Sequence, residues 1–283
     1  MPTYSSAFQA EKNREAERPR GTAYARRVMQ VGTAFVELPG PDHGPSELAK
    51  VMGVDVASVF RVLQSGLEQK HTQRNPGGKY RLGPSVALMG MQAMAYALSP
   101  ARVQPVLEQL GQDTSALAVL SGLSPYGGPG RQIVAHAGRY QLGALGLAAD
   151  DLLPVSTSLR VGASGRVMIA HLPPPLRETV LDQPIPHGAG PGAVRHPKAI
   201  HADLEAVQAQ GYAVGREELT GWDSAAAPVL WDEILVGAVS TLKPSALMRA
   251  DKASEKRVIA ETVAAANRLS VLASGRGTVP LAA

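Results

Sequence analysis

Residues 44 to 83 read GPSELAKVMGVDVASVFRVLQSGLEQKHTQRNPGGKYRLG, and this stretch decides the fold. Pro45 suits a first helical position, where its fixed φ helps and its missing N–H would be unpaired anyway. Leu48, Ala49 and Met52 repeat at helical spacing, and Gly53 supplies the permissive backbone that ends the helix. Asp55 is placed to cap a second helix by accepting from the N–H of Ala57 or Ser58; Val59, Val62 and Leu63 form its apolar stripe. Ala57, Ser58, Phe60, Arg61 and Gln64 fall off that stripe, where a recognition helix presents side chains to a major groove. Lys70 to Arg74 and Lys79 to Leu82 then read as two strands around Asn75-Pro76-Gly77-Gly78, strong hairpin punctuation. The order is that of a winged helix-turn-helix. Lys70, Arg74, Lys79 and Arg81 put positive charge along the wing, suited to phosphates or a minor groove.

Working outward, residues 28 to 38 carry apolar side chains at helical spacing and supply a first helix beneath the other two. Residues 84 to 98 (PSVALMGMQAMAYAL) are apolar almost all round, so this helix must be buried. It packs either on its own copy in a second subunit or in the core of the following domain. From residue 99 strands and helices mix: helices at 101–111, 165–171, 201–210 and 252–273, strands at 115–120, 132–137, 212–216, 226–231 and 235–242. Pro173-Pro174-Pro175 marks a helix stop. The pattern is α+β, with an antiparallel sheet.

The 283 residues suit two domains rather than one. Residues 1 to 84 hold 12 Lys and Arg against 8 Asp and Glu, whereas residues 85 to 283 hold 16 against 16, so the net positive charge sits with the helix-turn-helix. The absence of cysteine removes disulfides, thiolate metal sites and cysteine nucleophiles. No apolar run reaches the roughly 20 residues of a membrane span, and no signal-peptide core is seen, so a cytoplasmic location is expected. The expected organisation is a disordered arm at 1–24, the DNA-binding domain at 25–84, a linker and dimerisation helix at 85–100, an effector-binding domain at 101–275 and a flexible tail at 276–283. Arginines in the arm could reach phosphates, although a solvated tail is its ordinary state.

Several motifs in the same order resemble the IclR-type bacterial transcriptional regulators, over roughly residues 28 to 275. They are SELAKVMGVDVASVFRVL (46–63), KYRLG (79–83), VGASGRVMIAHLP (161–173), GYAVGREELTGWDSAAAPV (211–229) and GAVSTLKP (237–244). The resemblance implies a GAF-like effector domain behind the winged helix-turn-helix, homodimers or dimers of dimers, and a repressor that answers a small organic acid or aromatic metabolite. Its implied DNA contacts are Ser46, Ala57, Ser58, Phe60, Arg61, Gln64, Arg74 and Lys79, on double-stranded operator DNA. Its implied effector contacts are Ala163, Ser164, Trp222, Ser224, Ser240 and Leu242. Backbone N–H groups at Ala163 and Ser164, ahead of a helix from Gly165, would hold a carboxylate. Trp222 and Leu242 would form an apolar wall, and Ser224 and Ser240 would orient the ligand.

The chain departs from the family at Val56, Ala57 and Ser58, where Lys, Ser and Thr are common, at Lys70 and His71, where a glycine is common, and by a one-residue deletion near Gly221. Arg61 matches the common arginine, for a phosphate, a guanine edge or an ion pair within the domain. An enzyme is not expected. Gly162-Ala163-Ser164-Gly165 lacks the residue spacing of a nucleophile elbow. His187, His196 and His201 lack the spacing of a helical zinc site, so neither metal nor cofactor is expected. A protein-binding adaptor is the remaining rival, disfavoured by the cations Arg61, Arg74 and Lys79.

Overall fold

The computed structural model describes residues 22–124, 128–146 and 149–275. Two compact units emerge, one holding described residues 22–95 and 173–176 and the other residues 96–172 and 177–275. The expected arm and tail lie outside the described residues, apart from residues 22–24 at the end of the arm.

In the first unit, helix α1 (Ala23–Glu37) begins at Thr22, whose hydroxyl accepts from the Ala25 N–H at 3.2 Å. Helix α2 (Pro45–Met52) starts at its proline. The Glu47 carboxylate takes the Gly44 N–H at 2.6 Å, and Gly53 closes the helix in the left-handed region at φ 66°. Asp55 caps helix α3 (Val56–Glu68) by accepting from the Ser58 N–H at 2.7 Å. Val31, Phe35, Leu48, Val59, Leu63 and Tyr80 join in one buried core, so the three apolar stripes meet. Strands β1 (Thr72–Arg74) and β2 (Tyr80–Leu82) pair antiparallel, Thr72 opposite Leu82 and Arg74 opposite Tyr80. Strand β1 starts two residues later than expected, because Lys70 turns the chain with φ 58° and its N–H bonds back to the Leu67 carbonyl.

Helix α4 (Pro84–Ala97) is as apolar as expected, yet Leu88, Met89, Met91 and Met94 lie exposed on the chain.

The second unit opens with α5 (Pro100–Thr114) and is built on a five-stranded antiparallel sheet in the order β4-β3-β7-β6-β5. Its strands are β3 (Leu117–Ser124), β4 (Gly130–Gly138), β5 (Ala213–Leu219), β6 (Trp222–Trp231) and β7 (Ile234–Pro244). Helix α6 (Ala149–Thr157), helix α7 (Gly162–His171), helix α8 (Pro174–Leu181) from Arg177 on, helix α9 (Pro197–Gln210), the single turn α10 (Ser245–Met248) and helix α11 (Lys252–Ala273) complete it. Strand alternation divides the core. Ala227 and Val239 pack with Leu107, Leu110 and Leu269 of α5 and α11, while Ala226 and Ala238 pack with Val167, Ile169 and Leu204 of α7 and α9.

Three features were not foreseen. Helices α6 and α8 form although each contains proline. Pro174 and Pro175 stand in the first turn of α8, so the triple proline starts a helix as well as ending one. Strand β5 is irregular: its pairing with β6 shifts between Arg216 and Leu219, and Glu217 is held at φ 51°. The loop before α9 lies on this bulge, with the Gly190 and Gly192 N–H groups donating to the Glu218 and Glu217 carbonyls at 2.8 and 3.1 Å. A Cβ at Gly192 would stand 1.6 Å from the Arg216 carbonyl oxygen, so no side chain fits there. Among the described residues no helix is long and apolar enough to cross a membrane.

Candidate functional site

A cavity of about 70 Å³ opens in the second unit beside the sheet, bounded by the 3-10 turn Leu142–Leu145 and the segment from Val155 to Ser164. Ala163, Ser164, Trp222, Ser224, Ser240 and Leu242 all line it, so the six positions named from sequence come together around one space. Residues 117 to 120 put Val119 opposite Ser240 across β3 and β7, and Ser224 faces Leu242 across β6 and β7, which explains how distant segments share a wall. Trp222 is held edge-on against Tyr140, with ring centroids 5.1 Å apart at 88°.

Two charged residues that sequence reading did not single out dominate the chemistry. Arg131, in β4, is 7% exposed and lines the cavity. Its Nε donates to the Ser156 carbonyl at 2.9 Å, Nη1 to the Ser164 hydroxyl at 2.7 Å and Nη2 to the Val155 carbonyl at 3.1 Å. These bonds use three of the five N–H groups of a guanidinium, and every acceptor is neutral. Burial pulls the Arg131 pKa down to about 10, opposed by the charge of Glu218, so the group stays cationic at neutral pH. Glu218, 2% exposed, is the second. One of its oxygens takes Arg166 Nη2 at 2.5 Å and the other the Gly162 N–H at 2.8 Å. Arg166 also holds Asp203 at 2.6 Å and the Val214 carbonyl at 2.7 Å. Glu218 is therefore committed to Arg166, and among the described residues no carboxylate stands in hydrogen-bond contact with Arg131.

This arrangement places a carboxylate of the protein beside the expected anion site at Ala163 and Ser164. Helix α7 begins at Gly162, three residues before Gly165, with Gly162 in the left-handed region at φ 85°. Its leading N–H already serves Glu218, so the helix terminus faces a carboxylate of the protein itself. Ser164 is engaged through its hydroxyl with Arg131. The signal for Arg131 was a lone charge in the apolar run 130–138; that for Glu218 was its place in a quoted motif. Neither residue advertises that the bulge in β5 turns Glu218 inward.

In the first unit, α3 exposes Val56, Ala57, Phe60 and Arg61 on one face. Ser58 departs from expectation: it is buried, its N–H bonded to Asp55 and its hydroxyl accepting from Arg27 at 3.4 Å and Arg61 at 3.3 Å. Gln64 is half-buried and donates to the Tyr80 hydroxyl at 2.7 Å, so one of its amide N–H groups is engaged inside the unit. Ser46 is exposed in the first turn of α2. On the wing, Arg74 stacks over the Tyr80 ring at 5.7 Å and donates to the Gly78 carbonyl. Lys79 reaches Glu47 at 3.5 Å with both side chains about half exposed, a weak surface pair. Arg81 is held by both oxygens of Asp42 at 2.7 and 2.8 Å, which spends that cation within the unit. Among the described residues no cluster of His, Asp and Glu has metal-binding geometry.

Residues 155–271 match the family model of the bacterial transcriptional regulator IclR C-terminal domain. No curated protein sequence matches the chain significantly. Among solved structures, the IclR of Thermotoga maritima is similar at 16% identity, with 88% of this chain and 98% of that chain covered and a TM-score of 0.52. An IclR transcriptional regulator from Alicyclobacillus acidocaldarius follows at 20% identity, 89% and 99% coverage and TM-score 0.51. An IclR homolog from Microbacterium hydrocarbonoxydans, complexed with 4-hydroxybenzoate, gives 20%, 89% and 100%, and 0.51. At these identities the structural likeness establishes the fold.

Proposed function

We propose, from the premise that this chain is an IclR-type transcriptional regulator, that it is a DNA-binding repressor released or strengthened by a small organic acid. The observation that carries this reading is Arg131, a buried guanidinium on the wall of an apolar cavity, bonded among the described residues to neutral acceptors and to no carboxylate. Burying a cation in such a setting is unfavourable until an anion pairs with it. A carboxylate entering the cavity supplies that anion, while Trp222 and Leu242 receive its apolar body and Ser224 and Ser240 orient it. The volume is several times the ~10–15 Å³ that one ordered water needs, which favours a compact acid. The 4-hydroxybenzoate in the Microbacterium hydrocarbonoxydans homolog belongs to the same chemical class.

The winged helix-turn-helix reads operator DNA through the exposed face of α3, with Arg61 as its cation and Arg74 and Lys79 on the flanking backbone. The exposed methionines of α4 favour a homodimer, which places two such helices one helical turn apart. Acid binding shifts the arrangement of units or subunits, with a coupling of about 1–3 kcal/mol. Such a protein works in the cytoplasm. Fluorescence anisotropy with the duplex upstream of its own gene, against a scrambled competitor at two salt concentrations, tests the reading. Competition-resistant binding that weakens steeply with salt is expected. Binding equal to the scrambled duplex, with and without a panel of small acids, would overturn it.

A further inference from the structure

We infer that this protein recognises thymine C5-methyl groups in its operator through Phe60 and Val56. The inference rests on the proposed DNA binding and concerns what the exposed face of α3 can read. Val56 and Phe60 are 46% and 45% exposed and stand one helical turn apart, on the same side of the helix. Ala57 lies beside Phe60 on the side toward Arg61 and is also exposed. Two side chains expected to reach base edges are engaged within the unit: Ser58 is buried beneath Arg27 and Arg61, and Gln64 donates to the Tyr80 hydroxyl. On the first two turns of α3 the outward face therefore offers one guanidinium, Arg61, and three apolar groups.

Those turns are the part of a recognition helix that meets base edges. The apolar feature in the major groove is the thymine methyl, a partner for alanine and phenylalanine side chains. Charge selects nucleic acid as the occupant. Arg27 and Arg61 converge on Ser58 within one turn of Phe60, and the Asp55 carboxylate is committed to the helix cap. An exposed apolar patch beside two converging guanidinium groups suits a surface of methyl groups next to phosphates.

The test starts by selecting duplexes from a random pool with the full-length protein. Thymines of the enriched sequence are then replaced one at a time by deoxyuridine, which removes only the methyl, and affinity is read by anisotropy. For the parent, uracil at a contacted position should weaken binding about fourfold, the worth of one buried carbon. With Phe60→Ala the thymine-to-uracil ratio should approach one, while the salt slope stays unchanged because no phosphate contact is lost. Phe60→Leu should keep part of the ratio. Uracil tolerated at every position by the parent, or a ratio unchanged in Phe60→Ala, overturns the inference while leaving DNA binding intact. No enriched duplex at all overturns the DNA-binding reading, and this inference with it.

Discussion

Glu218→Gln tests the charge network that shapes the cavity. The substitution keeps the side chain's shape but replaces one acceptor oxygen with a donor. Both oxygens of Glu218 face donors, Arg166 Nη2 at 2.5 Å and the Gly162 N–H at 2.8 Å, so the amide must oppose one of them. Arg166 has a side chain only 5% exposed and would keep a single carboxylate, Asp203. Removing one partner of a buried pair costs about 3–5 kcal/mol; the surviving Asp203 contact puts this variant near about 3 kcal/mol. For a unit of this size that is a drop of about 6–12 °C in Tm. Differential scanning calorimetry of parent and variant reads it directly. Arg166→Met alone should be at least as destabilising, since it strands Glu218, and the double variant should cost at least about 1 kcal/mol less than the sum. A Tm change under about 2 °C for Glu218→Gln, or strict additivity, would refute the network as described.

Arg131→Met should erase the preference for an acid over its uncharged amide: calorimetric titration with benzoate and benzamide should show discrimination in the parent and none in the variant, a loss of at least about 1.5 kcal/mol. Equal discrimination would remove Arg131 from ligand recognition. Arg61→Ala should weaken operator binding by about 1–3 kcal/mol with acid binding unchanged; parent-like affinity would dismiss it as a DNA contact. Asp223 supplies a pH signature. Burial pushes its pKa up, but bonds from Arg249, Arg216, Ser245 and the Glu217 N–H outweigh this and hold it below the usual carboxylate value. The unfolded chain thus binds more protons than the fold near pH 4, so this stability is full above about pH 4 and is lost as pH falls through the folded value. Denaturant midpoints should drop across that window, and Asp223→Asn should flatten the drop while costing about 2 kcal/mol at pH 7. An unchanged profile would contradict the assignment.

Local chemistry explains which parts of the fold were legible from sequence. Pro45, Gly53 and Asp55 each act within one turn of their own position, so the boundaries of α2 and α3 follow from the residues themselves. The closing helix, Lys252–Ala273, begins at Asp251, whose carboxylate caps it, and its limits were equally plain. The site was half visible. Positions carried by the family resemblance do line the cavity, whereas Arg131 and Glu218 meet it only through sheet register and a bulge, long-range features that no window of sequence contains. Ser58 shows the opposite failure. Helical periodicity placed it outward, but hydrogen bonds to Asp55, Arg27 and Arg61 draw it inward.

The bulge in β5 separates what the sheet needs from what the cavity needs. Arg216 pairs with Asp223 and Leu219 with Trp222, adjacent positions on β6, so Glu217 and Glu218 are surplus to the ladder. Excising both would leave a continuous antiparallel strand, relieve the left-handed backbone at Glu217, and take away the carboxylate opposite Gly162. The same deletion would strand Arg166 and unseat the loop at Gly190 and Gly192, so the two surplus residues tie the charge beside the cavity to the stability of the unit.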